Sequence, residues 1–309
     1  MKLRRRDWHL EFQKNWRYSN KIWKRRSASL IRFFYLNLRS VYIKPIKTLG
    51  MFLGVMFSKM PIEFSSQLKE SLKLTTNMPP LSLGVKIVVD QKRDHSRAQF
   101  CYKERLTCEW IKKYYKKGDV IYDVGANIGA VSLLSALYLE KDCEIYSFEP
   151  LPSTYSMLFK NIMLNNCDKI ITPLNIALSD KVEIDQFHLR SVEAGTSGHS
   201  VSGSVIHTDK NKKILNVFTQ TLDNLIDSYG VKQPSHIKID VDGHDYEVLL
   251  GGEKNILNES ILKTILIERN DKEGQIRTLV KKYGFVEIEL KERKGDIYDN
   301  IGFVREDLI

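Results

Sequence analysis

The stretch Val120–Leu134, VIYDVGANIGAVSLL, decides how this chain folds. β-Branched and aromatic residues run into Asp123; Gly125 and Gly129 follow four apart; an apolar helical pattern then begins, with Asn127 read as its N-cap. The order is a buried strand, a bare turn and a helix. Outward from it the pattern repeats. EIYSF (144–148) reads as a second strand, followed after Pro152 by a helix to Asn165. KIITPLNIAL reads as a third strand and VEIDQFHL as a further one, before a Gly/Ser loop, Gly195–Ser204. TLDNLIDSYG, DYEVLLGG and QIRTLVKKYG read as helices between the strands HIKIDV, TILIE and FVEIEL, with IGFVRE as the last strand. Strands alternating with helices predict an α/β fold, a doubly wound and mostly parallel sheet covered on both faces.

Charge divides the chain more sharply than length does. Residues 1–50 hold fourteen Lys/Arg against Asp7 and Glu11, a net of +12; the rest holds 34 bases and 36 acids. The basic character therefore belongs to an N-terminal arm, expected over 1–60 as a basic helical extension. Residues 61–85 are expected as a linker, and 86–309 as the main domain. Such an arm suggests an anionic partner. Within it, SLIRFFYLNLRSVYI (29–43) sets Leu30, Phe33, Phe34, Leu38 and Val41 on one helical face, which suits peripheral contact with an anionic membrane. The most apolar run, LGMFLGVMF (49–57), is far shorter than the ~20 residues a membrane-spanning helix needs. No secretory leader pattern is evident. Cys101, Cys108, Cys143 and Cys167 show neither CxxC nor zinc-ligand spacing, so reduced thiols are expected. The expected location is the cytoplasm, peripheral at the inner membrane face.

In an open parallel sheet, ligands bind at the carboxyl ends of the strands, where the strand order reverses. A glycine turn there lets a ligand approach bare backbone, and the next helix offers free N–H groups. Glu149, ending the second strand, can accept two hydrogen bonds from a ribose diol. A dinucleotide would need glycines where Asn127 and Ala130 stand, so the turn suits S-adenosylmethionine, which has no phosphate to seat.

These residues resemble the FkbM-type S-adenosylmethionine-dependent methyltransferases. The pieces are DVGANIG (123–129), FEPLP with LFKNIMLNN (148–166), NIALSD (175–180), TLDNLI (221–226), IKIDVDGHDYEVLLGG (237–252) and ILIE (265–268). Asp242 and Asp245 stand where the family more often has glutamate. The resemblance implies the class I methyltransferase fold, a Rossmann-like seven-stranded sheet with a reversed last strand. It also implies O-methylation of sugars and other natural-product hydroxyls. Carried over by position, it puts Asp123, Gly125, Ala126, Asn127 and Gly129 around the methionine portion. Glu149 and Pro150 fall at the ribose, Ala177 and Ser179 near the adenine, and Asp240 beside the cofactor.

Methyl transfer depends on placing the acceptor oxygen in line, and a nearby base helps by taking its proton. Asp240, His244 and Glu268 are the candidates for that base. Asp240 has a cofactor-binding role as its alternative, and His244 a turn-capping one. Asp240, Glu268 and Asn270 are also oxygen donors of a kind Mg²⁺ accepts, but their spacing establishes no metal site and none is assigned. The Gly/Ser loop with His199 and His207 is either an acceptor lid or a solvent loop. The expected function is methylation of a glycan or glycolipid hydroxyl. An RNA methyltransferase is the alternative, since the arm interleaves Trp8, Trp16, Tyr18 and Trp23 with Arg and Lys. Against nucleic acid stand the IDVDGH turn, where adenine N-methylases carry an Asn/Asp-Pro-Pro-aromatic one, and the lack of a strand-end Pro-Cys or Thr-Cys. A non-catalytic cofactor-binding module is the third reading.

Overall fold

A computed structural model describes residues 48–72, 74–79, 83–90, 92–189, 200–201, 213–290 and 300–309. The amphipathic stretch 29–43, and most of the Gly/Ser loop with His199 and His207, lie outside the described residues. The chain forms two units, Met1–Thr75 and Thr76–Ile309.

In the first unit, α1 spans 48–58 and α2 is Ile62–Ser71, so a helix stands where a linker is expected. Two short strands, β1 (Thr75–Asn77) and β2 (Lys86–Val88), then form a two-stranded sheet. Three helices that the periodicity did not reveal follow: α3 (Lys92–Ala98), α4 (Phe100–Lys103) and α5 (Arg105–Tyr114). Then comes the predicted alternation: β3 (Val120–Val124), α6 (Ala130–Tyr138), β4 (Glu144–Phe148), α7 (Pro152–Leu164) and β5 (Ile171–Leu174). The later elements of the main sheet are β10 (His236–Ile239), β11 (Thr264–Glu268), β12 (Phe285–Ile288) and β13 (Asn300–Arg305), with α8 (Leu222–Tyr229), α9 (Asp245–Leu250) and α10 (Glu273–Lys282) between or before them.

The main sheet has seven strands in the order β12-β13-β11-β10-β3-β4-β5. All neighbours are parallel except β13, which runs antiparallel to β11 and β12. The strand order reverses between β3 and β10, which places the cleft of an open sheet at their carboxyl ends. The strands are buried on both faces, as their near-continuous apolar runs require. Tyr122 and Val124 turn to one face with Ile237, Ile239 and Phe148. The aromatic rings of Tyr122 and Phe148 meet edge to face at 5.4 Å. Asp123 turns to the other face.

A second sheet, β6-β9-β7-β8, departs from expectation. The presumed third strand breaks at Asn175, whose Nδ2 donates to the carbonyls of Glu149 and Pro150. Ile171–Leu174 joins the main sheet, while β6 (Ala177–Leu178) pairs with β9 (Lys213–Gln220). VEIDQFHL is indeed a strand, β7 (Glu183–Leu189), but it pairs antiparallel with β9 and with β8 (Ser200–Val201).

Candidate active site

The turn after β3 is held by backbone on both sides. Gly125 N–H and Ala126 N–H both donate to Phe148 O, and Asp240 N–H donates to Val124 O at 3.1 Å. Gly125 has φ +77°, and a Cβ there would lie 2.0 Å from the carbonyl oxygen of Asp240. The glycine is thus required first by the neighbouring strand rather than by a ligand. Gly129 caps α6 at φ +90° and lies under Leu158, away from the cleft. Asn127 is not the N-cap. It takes φ +52°, a left-handed conformation that asparagine tolerates, and its N–H reaches Glu149 Oε2 at 3.0 Å.

Asp123 lies deeper than the sequence reading places it. Its Oδ2 accepts from both the N–H and the hydroxyl of Ser132, so it anchors the start of α6 from the strand. It does not line the cleft, and neither do Ala126, Gly129 or Ser179. Gly125, Asn127, Glu149, Pro150, Ala177, Asp240, His244 and Glu268 do line it. The cleft encloses about 1010 Å³ with its open mouth and the solvent there included.

One end of the cleft is built around Glu149. Its Oε1 accepts from Leu151 N–H at 2.9 Å and its Oε2 from Asn127 N–H, leaving a lone pair on each oxygen. Burial pushes its carboxyl up to about 7, against the pull of those two N–H groups. Apolar side chains of Phe148, Ile176, Leu178 and Phe187 stand beside it.

The other end is a cluster of charge. Asp240 accepts from the Lys238 ammonium at 2.9 Å, and its side chain keeps 32% exposure. Burial opposes ionisation of Asp240, but the Lys238 charge, the hydrogen bonds from Lys238 and Glu268 and the Arg97 charge together outweigh it and hold the carboxyl below its usual range. Glu268 hydrogen-bonds Asp240 and is pushed up to about 8, first by burial and then by the Asp240 charge. Glu104, from the α4–α5 junction, is raised to about 7 by burial. Asp245 is raised to about 7 by burial and by Asp240. It closes the turn after β10 by accepting from Gly243 N–H, and it also accepts from Asn270 Nδ2 at 2.8 Å. Asn270 therefore faces Asp245, and its Oδ1 is taken by Lys272 N–H.

His244 is buried at the cleft wall with both ring nitrogens facing protein. Nε2 lies 3.0 Å from Ser179 Oγ, and Nδ1 is 3.6 Å from Glu247 Oε2. It occupies the N-cap position of α9 but makes no cap hydrogen bond. Burial lowers its pKa, which keeps the ring neutral near pH 7. Asp240 and Glu268 are thus brought together, while His244 is tied elsewhere. Arg97, Glu104, Lys238 and Phe187 were missed by the sequence reading. A lysine inside the apolar strand HIKI was the available signal for Lys238, since lysine is almost never fully buried unless paired. Arg97 and Glu104 carry no motif.

Seven strands in this order, with a cleft at the reversal between β3 and β10, define a class I methyltransferase fold. The chain belongs to the FkbM methyltransferase domain family, which it matches over residues 123–290. It is similar to the hexuronic acid methyltransferase AglP of Haloferax volcanii, 31% identical over 137 residues, 44% of this chain and 51% of that protein. The chain thus spans about half the length of that relative. It is also similar to the methyltransferase sdnD of Sordaria araneosa, 25% identical over 219 residues, covering 61% of this chain and 82% of that one. The solved methyltransferase FkbM of Methylobacillus flagellatus shows 13% identity and a TM-score of 0.47, covering 69% of this chain and 52% of that one.

The cleft suits S-adenosylmethionine, the cofactor of this family. Glu149 offers two free lone pairs for a diol, the apolar wall offers a surface for a base, and the acidic far end complements a sulfonium cation. Ribose hydroxyls would donate to ionised Glu149, so binding lowers its pKa and releases a proton. Affinity should be full above pH 7 and decline as pH falls through about 7. Glu149→Ala should weaken binding by ~1.5–3 kcal/mol and flatten that pH dependence. Calorimetry between pH 6 and 8 reads both; equal affinity in the variant would remove the ribose assignment.

Proposed function

We propose that this chain is an S-adenosylmethionine-dependent O-methyltransferase acting on a hydroxyl of a sugar, glycan or glycolipid precursor. The observation that carries this is the Asp240–Glu268 pair, set across the cleft from Glu149. S-adenosylmethionine, when bound, supplies an electrophilic methyl. Glu149 holds the ribose and Asp240 takes the proton of the acceptor hydroxyl as its oxygen is methylated. Glu268, hydrogen-bonded to Asp240, keeps its own proton near neutrality. The hexuronic acid named for the Haloferax relative supports a sugar acceptor. The ionised Asp240 carboxylate on the cleft lining disfavours a polyphosphate backbone. The test is transfer of labelled methyl to glycan, lipid and RNA fractions of the cell. Label confined to RNA would overturn the sugar reading, and cofactor binding without transfer to any hydroxyl would make the chain a binding module.

The acceptor is proposed to be met at an anionic membrane surface. Among the described residues no helix is long and apolar enough to cross a membrane. However, α1 exposes Leu49, Met51, Phe52 and Val55 at 56, 67, 60 and 58%. It follows directly on the segment of net charge +12. Apolar side chains buried at the headgroup boundary, together with basic residues worth about 1 kcal/mol each on an anionic leaflet, suffice for peripheral attachment. The full chain should float with anionic vesicles and not with neutral ones. Phe52→Asp with Val55→Asp should weaken vesicle affinity by at least about a hundredfold, because each buried side chain contributes roughly 1.5–3 kcal/mol. Unchanged recovery of the double variant would reject α1 as the contact.

A further inference from the structure

Lys238 lies in the middle of the central strand β10, in register with Asp123 on β3 and Leu266 on β11. Its side chain keeps 6% exposure, against 32% for Asp240, to which its ammonium donates. Asp240 lines the cleft, and Lys238 stands behind it. An ion pair inside a sheet is a poor source of stability, since apolar residues of the same size often serve as well. The pair therefore calls for another reason.

Charged groups face it from each packed element. They are Asp123 from β3, Glu104 from the α4–α5 junction, Arg97 from α3 and Glu268 from β11, with Asp242 in the following turn and Asp245 on α9. The Lys238 ammonium and the Arg97 guanidinium are outnumbered by these carboxyls and cannot sustain a charge on all of them. The carboxyl in direct contact with the ammonium ionises most readily, while burial pushes Glu104, Asp245 and Glu268 up toward their protonated forms.

We propose that Lys238 is a positioning residue for methyl transfer: it keeps Asp240 ionised and facing the cleft while Glu268 stays protonated, so the pair offers the acceptor one basic oxygen. This rests on the acceptor-side reading of Asp240 above. The proton balance is simple. The acceptor oxygen bonds to the methyl carbon, the methyl–sulfur bond breaks with its electron pair left on sulfur, and the hydroxyl proton passes to the Asp240 carboxylate. That proton then leaves to water, which restores the pair. Lys238 keeps its three protons throughout; the raised pKa that the surrounding carboxylates confer on it agrees with this.

The test is carbon-13 NMR of the carboxyl groups in the full chain, with Asp240 and Glu268 identified through Asp240→Asn and Glu268→Gln. In the wild-type chain Asp240 should be ionised at pH 6 while Glu268 is still protonated. In Lys238→Met, Asp240 should titrate about one to three units higher, and Lys238→Arg should restore the low value. Methyl transfer measured alongside should lose about a hundredfold in kcat in Lys238→Met, with S-adenosylmethionine affinity little changed. A protonated Asp240 in the wild-type chain at pH 6 overturns the proposal whether or not Lys238→Met folds. So does a normal rate in folded Lys238→Met. If the NMR result holds but the wild-type chain methylates no hydroxyl, the acceptor reading fails while the assignment of charge to Asp240 stands.

Discussion

Asp240→Asn should fold, bind S-adenosylmethionine nearly as the wild type does, and lose methyl transfer by about 10²–10⁴-fold, the range for loss of a general base. The fold survives because asparagine is near-isosteric and its amide oxygen can still accept from the Lys238 ammonium. Asp240 N–H, which ties β10 to Val124, is untouched by the change. Rate is lost because an amide cannot take a proton at neutral pH. Removing the Asp240 charge also removes the second-largest cause of the high Glu268 pKa, so Glu268 should ionise nearer the ordinary carboxyl range. Residual turnover should therefore follow Glu268 and extend to lower pH than a Glu268 pKa of about 8 would permit. Single-turnover transfer with a confirmed acceptor, read across pH 5–9 beside thermal melting, separates the two effects. A wild-type rate in folded Asp240→Asn would exclude Asp240 as the base.

Gly125→Ala should be the most destabilising single methyl addition at the site. The new Cβ meets the Asp240 carbonyl oxygen at 2.0 Å and its carbon at 2.9 Å, both backbone atoms in a strand end that is hydrogen-bonded to Val124. Nothing can rotate aside. A left-handed φ of +77° adds roughly 1–2 kcal/mol for any L-residue, and overpacking typically adds another ~1–3 kcal/mol. A loss of about 2–5 kcal/mol corresponds to roughly 5–15 °C in melting temperature for a domain of this size. Cofactor affinity should fall with it, because Asn127 and Glu149 are held by the same turn. Gly129→Ala is the comparison. There the obstacle is Leu158 Cδ1 at 2.6 Å, the free end of a side chain that can move, so it should cost less. Melting curves that reverse this order would remove the close packing of β3 on β10 as the reason for Gly125.

The difference between what was legible and what was not follows the range of the interactions involved. VIYDVGANIG reads as a strand and turn because β-branched residues, an acid and two glycines are local chemistry. Glu149 and Asp240 could be placed on one edge because parallel strands joined by helices bring their carboxyl ends together. The helices 92–114 went unplaced for different reasons: KRDHSRA (92–98) offers almost no apolar residue to set a period, whereas 105–114 does carry an amphipathic pattern, with Leu106, Trp110 and Ile111 buried, that no motif drew attention to. The strand Lys213–Gln220 was hidden for a further reason: its partner β7 comes from the far side of a Gly/Ser segment.

By itself, the sequence determined the alternation of strands and helices, the glycine turn and the strand-end acids, and through its motifs the family. These rest on short-range preferences and on spacing along the chain. Only the tertiary structure decided what each acid does. Asp123, in the same motif as Gly125, anchors Ser132 from beneath the cleft instead of lining it. Burial and the Asp240 charge push the Glu268 carboxyl up, while the Lys238 ammonium pulls Asp240 below its usual range. His244 is tied to Ser179, and Glu104 and Arg97 arrive from helices that precede the motif. The physical reason is that desolvation and charge–charge coupling depend on distances between residues far apart in the chain, and those distances exist only once the sheet has closed around them.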